Sequence, residues 1–383
     1  MIMANNNENK ILNVPNLRFP EFSGEWVTKS INDLAVVIGG GTPDTTVKSY
    51  WDGEIQWFTP SEIGKNKYVD SSLRTITEVG LNNSSAKLLP PNTILLSSRA
   101  TIGECSLSLR ECATNQGFQC LVSKKCNVDF LYYLIQTKKK DLIRKSCGST
   151  FLEISANEVR KIQVSVPSDV EQQKIAELLS LIDERIATQN KIIEDLKKLK
   201  SAITDLLFHS IADAHTIRLG EIAHITNGAG DVQDANTEHQ EDWYPFFDRS
   251  EELKWFPTYS FDKEAVIYAG EGQSFYPRYY NGKFALHQRC YAITDFASCI
   301  IPKYCYHFMN TLNSYFVRNS VGSTVPSLRM DIFQKVEIRL PPIPKQQHIC
   351  KIIDAFYTKL EVEQRGISIL QELKQFLLSQ MFI

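Results

Sequence analysis

Several common features are missing from this 383-residue sequence. No apolar run approaches the roughly 18 residues that a membrane span needs. The N-terminal stretch, which contains NNNENK, has no apolar segment of the kind found in a secretory signal. The nine cysteines are odd in number and irregularly spaced, which does not describe a disulfide framework. We therefore expect a cytoplasmic protein with reduced thiols and no membrane contact.

Catalytic and cofactor motifs are also missing. The stretch GGGTPDT at residues 39–45 lacks the Gly-Lys-Ser/Thr of a phosphate-binding loop, so we interpret it as a turn. There is no Asn-Pro-Pro-aromatic tetrapeptide, the signature of amino-methyltransferases, and no glycine pattern of dinucleotide-binding proteins. Cys299, Cys305 and His307 have no Cys-x-x-Cys beside them, and we interpret them as structural rather than as a zinc site. The sequence thus predicts a protein that is not an enzyme and that holds no metal or cofactor itself.

Neither sign of charge dominates. The chain has 42 Lys and Arg against 44 Asp and Glu, a net charge of −2. Residues 1–168 carry 19 basic and 16 acidic residues, whereas residues 209–342 carry 12 and 16. Because phosphate neutralisation usually dominates affinity for nucleic acid, the lack of a strongly basic segment is an objection to DNA binding.

The sequence does contain a long internal repeat. A shift of 174 residues aligns residues 148–208 with residues 322–382 without a gap, with 13 identities in 61 positions. PSDVEQQKIAELL in the first copy matches PPIPKQQHICKII in the second. The match continues more loosely upstream, where DFLYYLIQTKK resembles PKYCYHFMNTLN and SINDLAVVIGGGT resembles IRLGEIAHITNGAG. A repeat of this length predicts two copies of one folding unit.

A long helix is predicted at the end of each copy. Apolar residues recur three or four apart from Ile175 to Leu207 and from Ile349 to Met381. A helix of about 40 residues would be about 55–60 Å long. We expect the two apolar stripes to pair as an antiparallel coiled coil, which relates the copies by a pseudo-two-fold axis. The alternative is that each stripe packs on its own domain.

The remainder of each copy is predicted to be rich in strands. β-branched and aromatic runs bounded by Gly, Pro and Asn indicate strands at 35–39, 55–58, 93–98, 119–123, 161–166, 244–248, 265–270, 291–294 and 335–340. The predicted fold is mixed α/β, with two similar strand-rich domains joined and spaced by the two helices. The predicted domain boundaries are 1–168, 169–208, 209–342 and 343–383.

Side chains suited to nucleic acid occur in both copies. Gln288 and Arg289 are types that make bidentate bonds to adenine and guanine edges, and Asn115-Gln116 occupies a place in the first copy near that of His287-Gln288 in the second. The candidate DNA-binding residues are Arg99, Asn115, Gln116, Lys138, Lys139, Lys140, Tyr276, Arg278, Tyr279, Lys283, Gln288 and Arg289. For each one alone, a solvated loop residue is an equal alternative.

One of these stretches also contains a turn signal. FYPRYYNGKFALHQR at residues 275–289 interleaves basic and aromatic residues. Its Asn281-Gly282 dipeptide predicts a hairpin turn.

The helix openings carry a resemblance to a known family. Together with LRFPEFSGEW at residues 17–26, the stretches EQQKIAELLSLIDERI and KQQHICKIIDAFYTKL resemble the specificity (S) subunit of type I restriction-modification enzymes. The resemblance covers essentially the whole chain, although the second copy has Tyr357 where the first has Asp183. Residues assigned to helix packing or partner binding are Gln172, Gln173, Ile175, Leu179, Ile182, Gln346, Gln347, Ile349 and Ile353.

The resemblance implies a non-catalytic subunit that reads a bipartite site in double-stranded DNA, with one domain for each half-site. The helices would set the gap between half-sites and dock two methyltransferase (M) subunits, and restriction (R) subunits would join the complex. S-adenosylmethionine, ATP and Mg would belong to those partners, and the methylated base would be adenine. Partner subunits would also supply much of the DNA-facing charge. The alternative is a non-enzymatic duplicated protein-interaction scaffold with a coiled-coil spacer.

Overall fold

The chain forms two compact units. The computed structural model describes residues 12–148, 152–211, 213–322 and 324–383. Unit 1 comprises the chain up to Lys191 together with Arg365–Ile383, and unit 2 comprises Ile192–Gln364. Each unit therefore takes one part of each long helix.

Unit 1 is mixed, with short strands and a few helices. Its elements are β1 (Val27–Ser30), α1 (Ile31–Leu34), β2 (Ala35–Gly39), β3 (Trp51–Phe58), β4 (Tyr68–Val69), β5 (Arg74–Ile76), α2 (Glu78–Asn82), β6 (Ile94–Leu96), β7 (Cys105–Ser108), β8 (Cys112–Thr114), β9 (Gln119–Ser123), α3 (Val128–Thr137), α4 (Lys139–Arg144), α5 (Ala156–Lys161), β10 (Gln163–Val166) and the first part of α6 (Asp169–His209). The main sheet has the order β2-β9-β6-β7-β4, and a smaller sheet has the order β5-β3-β8. A separate antiparallel pair joins β1 to β10.

Unit 2 follows the same plan with longer strands. Its elements after α6 are β11 (His215–Arg218), α7 (Leu219–Ile222), β12 (His224–Asn227), β13 (Tyr244–Phe247), β14 (Lys254–Phe256), β15 (Phe261–Ala269), β16 (Arg278–Leu286), β17 (Cys290–Thr294), α8 (Pro302–Met309), α9 (Asn313–Asn319), α10 (Met330–Gln334), β18 (Glu337–Leu340) and the first part of α11 (Ile343–Met381). Its sheet has the order β12-β17-β15-β16-β13-β14, and β11 pairs with β18.

The two sheets share one strand order. The series β2-β9-β6-β7 of unit 1 matches β12-β17-β15-β16 of unit 2. In addition, β13 pairs in parallel with the end of β16, as β3 pairs in parallel with β8. The strands β10 and β18 lie 174 residues apart, which is the shift of the sequence repeat. The predicted fold class, with two similar mixed domains and two long helices, is confirmed.

The glutamine that opens each long helix ties that helix to its own domain. In unit 1 the Gln172 side chain donates to the carbonyl of Pro167 at 3.0 Å and accepts from the N–H of Asn127 at 3.1 Å. In unit 2 Gln346 donates to the carbonyl of the corresponding proline at 2.9 Å and accepts from the N–H of Ile301 at 2.9 Å. Asn127 and Ile301 are the N-caps of α3 and α8. The first glutamine of each repeated Gln-Gln is thus explained by the same buried clamp in each unit.

The long helices are paired antiparallel. In unit 1 the Lys374 ammonium lies 2.7 Å from the Asp183 carboxylate, and in unit 2 the Lys200 ammonium lies 4.1 Å from the ring centroid of Tyr357. The early part of α6 therefore meets the late part of α11, and the reverse holds in unit 2. Asp183 and Tyr357 are repeat equivalents, as are Lys200 and Lys374, so each unit has a contact at equivalent positions.

The apolar stripes also pack on the domains. Ile175, Leu179 and Ile182 of α6 belong to the core of unit 1, and Ile349 and Ile353 of α11 belong to the core of unit 2. The far ends of the same helices complete the opposite cores through Phe208, Leu377, Leu378 and Met381. The two helices thus pair with each other and also pack on the domains, which combines the two alternatives that the sequence left open.

The strand predictions located only part of the sheets. Each of the nine predicted segments overlaps a strand, but nine more of the 18 strands in the described part of the chain were not predicted. The predicted hairpin at Asn281-Gly282 is wrong, because both residues lie inside β16, opposite Glu264 and Lys263 of β15. The long partner strand supplies the ladder that overrides the turn preference, and Gly282 accommodates a φ of +133° within it.

Candidate nucleic-acid interface

The loops that follow strands β2, β3, β6 and β8 of unit 1 meet and are joined by backbone hydrogen bonds. We call them rim 1, which comprises residues 40–42, 59–62, 97–99 and 115–117. The N–H of Asn115 donates to the carbonyl of Phe58 at 3.1 Å, and the N–H of Ser98 donates to the carbonyl of Gly117 at 2.8 Å. These bonds fix the backbone from which Asn115 and Gln116 project.

Unit 2 repeats this arrangement with the same bonds. We call the corresponding loops rim 2, which comprises residues 228–231, 248–250, 270–271 and 287–289. The N–H of His287 donates to the carbonyl of Phe247 at 2.9 Å, and the N–H of Gly270 donates to the carbonyl of Arg289 at 2.9 Å. Residues 287–289 therefore take the place of residues 115–117. Gln116 and Gln288 occupy equivalent positions.

A glycine in each rim allows the loops to approach so closely. A Cβ atom added to Gly40 would lie 2.0 Å from the carbonyl oxygen of Asn115, and one added to Gly228 would lie 2.0 Å from the carbonyl oxygen of Leu286. Both distances are far below van der Waals contact, so only glycine fits. The glycine-containing stretches near the start of each copy are thereby explained.

Rim 1 presents mainly neutral polar groups. The Thr42 hydroxyl donates to Oε1 of Gln116 at 2.5 Å, and the side-chain oxygen of Asn115 accepts from the N–H of Gly117 at 2.9 Å. Arg99 forms an ion pair with Glu153 at 2.8 Å. The amide of Gln116 is exposed beside these groups. The rim therefore offers hydrogen-bonding groups with little net charge.

Rim 2 lies along a charged cleft of about 520 Å³. Asp248, which is 3% exposed in its side chain, accepts from the Lys254 ammonium at 2.7 Å and from the N–H of Ser250 at 2.8 Å. Burial acts to raise the pKa of Asp248, but the bonds from Lys254 and Ser250 outweigh it, so the pKa lies below the usual range. Asp248 therefore stays ionised and holds the wall of the cleft together.

Arg289 stands at the mouth of the same cleft. Its Nη1 donates to both carboxylate oxygens of Glu271, at 2.9 and 3.1 Å. The Arg289 side chain is 65% exposed, whereas Glu271 is 22% exposed. Glu271 is thus a fixed anchor for a guanidinium that faces outward.

One of the sequence-predicted residues of β16 contacts rim 2. Arg278, the first residue of β16, donates to the carbonyl of Ser250, a residue of rim 2. Tyr276 is exposed in the loop before β16. The structure brings Arg278 together with rim 2 in a supporting position.

The other two predicted residues of β16 lie elsewhere. Tyr279 donates to Glu264, and its ring packs against Tyr306 of α8 at 5.8 Å between centroids. Burial and the Glu264 carboxylate raise the pKa of Tyr279. The Lys283 ammonium lies 4.7 Å from the ring centroid of Tyr259. Because successive residues of a strand face opposite sides, Arg278 and Tyr279 cannot serve one surface.

The lysine cluster at the junction of α3 and α4 is separate from rim 1. Lys138 donates to the carbonyl of Ile383 at 2.5 Å, and burial lowers the pKa of Lys138. Lys139 pairs with Glu104 at 2.5 Å, and Lys140 is exposed. Lys139 and Lys140 line a different cleft of about 1010 Å³. Two of the three ammonium groups are therefore already engaged.

Most of the helix residues singled out from the sequence are buried in helix packing. The buried members are Gln172, Ile175, Leu179, Ile182, Gln346, Ile349 and Ile353. Gln173 and Gln347 are exposed, and Gln173 accepts from the side chain of Asn127 at 2.6 Å. Of these nine residues, only Gln173 and Gln347 have exposed side chains that a partner could reach.

The sequence analysis missed the acidic members of rim 2. Glu271 and Asp248 each hold a basic side chain in place, and Thr42 does the same for the amide of Gln116. A search for basic and amide side chains passes over such supports, because their partners are distant in sequence. The Glu-Gly at residues 271–272 after a predicted strand was the available signal for one of them.

Two kinds of site are absent from the described ranges. Across residues 12–148, 152–211, 213–322 and 324–383, no group of three or more His, Cys, Asp or Glu side chains could hold a metal ion. Within the same part of the chain, no helix has a stretch long and apolar enough to span a membrane.

One protein-family model matches two successive regions, which together cover most of the chain. The model described as "Type I restriction modification DNA specificity domain" matches residues 23–198 and 212–375. The "Type I restriction enzyme MjaIX specificity subunit" of Methanocaldococcus jannaschii is 28% identical over 93% of this chain and 92% of that protein. The EcoR124I/EcoR124II specificity subunit of Escherichia coli is 31% identical over 48% of this chain and 46% of that protein.

Solved structures show the same fold. The S subunit of a type I restriction-modification system from M. genitalium superposes with a TM-score of 0.63 at 17% identity, over 97% of this chain and 99% of that one. A second structure, from work on complex assembly and conformational transition of the type I R-M system, gives a TM-score of 0.61 at 15% identity, over 94% and 98% of the two chains.

Proposed function

The chain belongs to the type I restriction-modification DNA specificity family, and from that premise we propose that it is the non-catalytic recognition subunit of a complex that methylates adenine. Unit 1 reads one half of a bipartite site in double-stranded DNA and unit 2 reads the other. Two M subunits and, through the complex, R subunits are the partners. They hold S-adenosylmethionine, ATP and Mg. The cytoplasm is the compartment that this role requires.

The observation that carries the proposal is the equivalence of the two rims. Each unit fixes four loops by the same hydrogen bonds, yet presents different side chains from them. A rigid framework with variable polar groups is suited to reading base edges, since phosphate contacts position a protein but carry no sequence information. Two such frameworks in one chain fit a site with two halves.

The paired helices support the role of spacer and docking surface. On α6, Ile192, Leu199 and Leu206 are exposed and seven residues apart. On α11, Val362, Ile369 and Phe376 repeat the spacing. Residues seven apart lie on nearly the same face of a helix, so each helix carries an exposed apolar stripe besides the buried one. Such a stripe on a soluble protein is typical of an interface.

The spacing role is tested by changing helix length. Removing or adding four residues in both helices, about 6 Å along each axis, should change the gap in the methylated motif and leave both half-sites unaltered. Methylome sequencing of cells that express the variant with its M and R subunits measures this. An unchanged gap with altered half-site bases contradicts the spacer role.

The docking role is tested on the exposed stripe. Leu199→Glu should weaken co-purification with M subunits by roughly tenfold or more, because it places a charge in an apolar interface. Ser201→Glu is the matched control, since Ser201 is exposed on the same helix outside the stripe. Equal M binding by both variants, with unchanged thermal unfolding, contradicts docking at this stripe and favours a scaffold for other proteins.

A further inference from the structure

We propose that Arg289 and Glu271 form a guanine-reading subsite, in which Glu271 positions Arg289 and the free edge of the guanidinium bonds to N7 and O6 of one guanine. This inference rests on the proposed function, because it concerns the half-site read by unit 2. It assigns a base to a named side chain and a positioning role to an acidic residue.

The backbone under Arg289 is held rigidly. The carbonyl of Arg289 accepts from the N–H of Gly270 at 2.9 Å, and the N–H of Arg289 donates to Nδ1 of His287 at 3.2 Å. The N–H of Gln288 donates to the carbonyl of Gly230 at 3.1 Å. A side chain that projects from such a fixed turn loses little backbone freedom on binding, which favours specific contacts.

The ion pair leaves the reading edge of the guanidinium free. Glu271 accepts only from Nη1 of Arg289. Among the described residues, no acceptor bonds to Nε or Nη2. An arginine that donates through two parallel N–H groups matches the N7 and O6 acceptors of guanine in the major groove. Because Nη1 is held, the remaining Nε–Nη2 edge has a fixed direction.

The surroundings favour a base over a phosphate. The cleft is lined by three acidic residues and three basic residues, namely Asp231, Asp248, Glu271, Arg249, Lys254 and Arg289. Of these, Lys254 is neutralised by Asp248. A phosphate contact needs excess positive charge, whereas a base edge is neutral and tolerates acidic neighbours. The charge balance therefore favours contact with a base edge.

The described part of unit 1 has no equivalent subsite. Gly117 stands at the place of Arg289, since each carbonyl accepts the corresponding backbone bond. Arg99 stands at the place of Glu271, since Arg99 forms a bridge with Glu153 and Glu271 forms one with the repeat equivalent of Glu153, Ser327. We therefore expect this guanine contact in only one half of the site.

The test uses the complete complex with its M subunits. Methylome sequencing of the wild type first gives the motif, and its unit 2 half-site is the one whose alteration no longer weakens DNA binding in Gly228→Ala, which disturbs rim 2 as a whole. DNA affinity is then measured by competition, with duplexes that carry guanine or 7-deazaguanine at each position of that half-site. Since 7-deazaguanine lacks only N7, it removes one acceptor without changing base pairing.

We expect one position at which 7-deazaguanine weakens wild-type binding by roughly 10-fold. Arg289→Gln should weaken binding to the natural duplex by roughly 10- to 100-fold and abolish the analogue penalty. Glu271→Gln should lower affinity less and reduce the penalty, which a merely structural role would leave intact. Arg318→Gln, an exposed arginine on α9 outside the cleft, should retain the full penalty.

The outcomes separate the inference from the function on which it rests. A bipartite motif with no guanine in the relevant half-site, or a full analogue penalty in Arg289→Gln, overturns the inference alone. An analogue penalty unaltered by Glu271→Gln overturns the positioning role. Absence of any bipartite methylated motif in the wild type overturns the proposed function and the inference together.

Discussion

The two rims share a backbone and differ in chemistry. In rim 1 the side chain of Gln116 accepts a hydrogen bond from a threonine hydroxyl. In rim 2 Arg289, which follows the equivalent Gln288, donates to a carboxylate. At the place of Asp248 in rim 2, rim 1 has the uncharged Thr59, whose N–H and hydroxyl are satisfied by Glu62. Backbone bonds therefore conserve the geometry, while the side chains vary the surface that is presented.

This separation explains how one fold can be used twice in a chain. A loop held by backbone hydrogen bonds and a close glycine does not need particular side chains to keep its shape. Its side chains are then free to differ between the two copies. Substitutions in the shared backbone therefore test whether the two rims are equivalent, and substitutions of the differing residues test what distinguishes them.

The largest effect is expected at the shared glycines. Gly40→Ala and Gly228→Ala each force a Cβ to within 2.0 Å of a backbone oxygen, so the loops must separate, at a cost of about 1–3 kcal/mol or more. Each variant should lose recognition of one half-site. DNA binding measured with each half-site altered in turn checks this. Loss of the same half-site in both variants would contradict two separate rims.

The buried glutamines should give an intermediate effect. Gln172→Ala and Gln346→Ala each leave buried backbone groups without partners, at an expected cost of about 2–4 kcal/mol in unfolding free energy. Urea unfolding, followed separately for each unit by hydrogen exchange, measures it. Gln173→Ala is the control, because Gln173 is exposed. Unequal losses of unfolding free energy in the two units would contradict the equivalence of the two glutamine clamps.

The smallest effect is expected where the units differ in a titratable group. His307 of α8 is buried and meets the Asp354 carboxylate at 3.0 Å, with Lys303 and Lys200 nearby, and Tyr133 is its repeat equivalent. Burial, with smaller contributions from the Lys303 and Lys200 charges, lowers the pKa of His307 more than Asp354 raises it. The unfolded chain therefore binds the proton more readily, so this stability is present above the unfolded pKa and is lost as pH falls through the folded pKa.

Hydrogen exchange at pH 7 and at pH 5.5, corrected for intrinsic rates, checks the sign. Protection around α8 should fall on acidification, whereas protection around α3 should hold, since the pKa of Tyr133 is raised by burial and its phenol stays neutral. The His307→Gln variant should lose the pH dependence. A pH dependence that survives in this variant assigns the effect to another group.

The long helices and the repeat could be predicted because their signals are periodic and local. The stripe from Ile175 onward and its ungapped copy set both helix lengths closely, at 41 and 39 residues. The repeated Gln172 and Gln346 marked equivalent positions before any contact was known. Such patterns depend on spacing alone, which the sequence states directly.

The rims could be predicted only in part, because they are assembled from residues far apart in sequence. The equivalence of Gln116 and Gln288 could be predicted from the repeat. The contacts by which Thr42 holds Gln116 and Glu271 holds Arg289 could not. The Asn281-Gly282 dipeptide indicated a turn, and a nine-residue partner strand overrode that local preference. Lys138 and Lys139 were assigned by charge, which gives no sign of the oxygens that already bind them.

Unit 1 is discontinuous, and this imposes an order on its assembly. Phe382 of its second segment packs against Trp26 and Phe130 at 6.4 and 5.3 Å between centroids, and the carbonyl of Gln380 binds the N–H of Leu17 at 2.9 Å. On the ribosome, these partners arrive only after all of unit 2 has been synthesised. The core of unit 1 is thus completed last, although most of its residues are synthesised first. Until then its apolar residues stay exposed to solvent or chaperones while unit 2 folds.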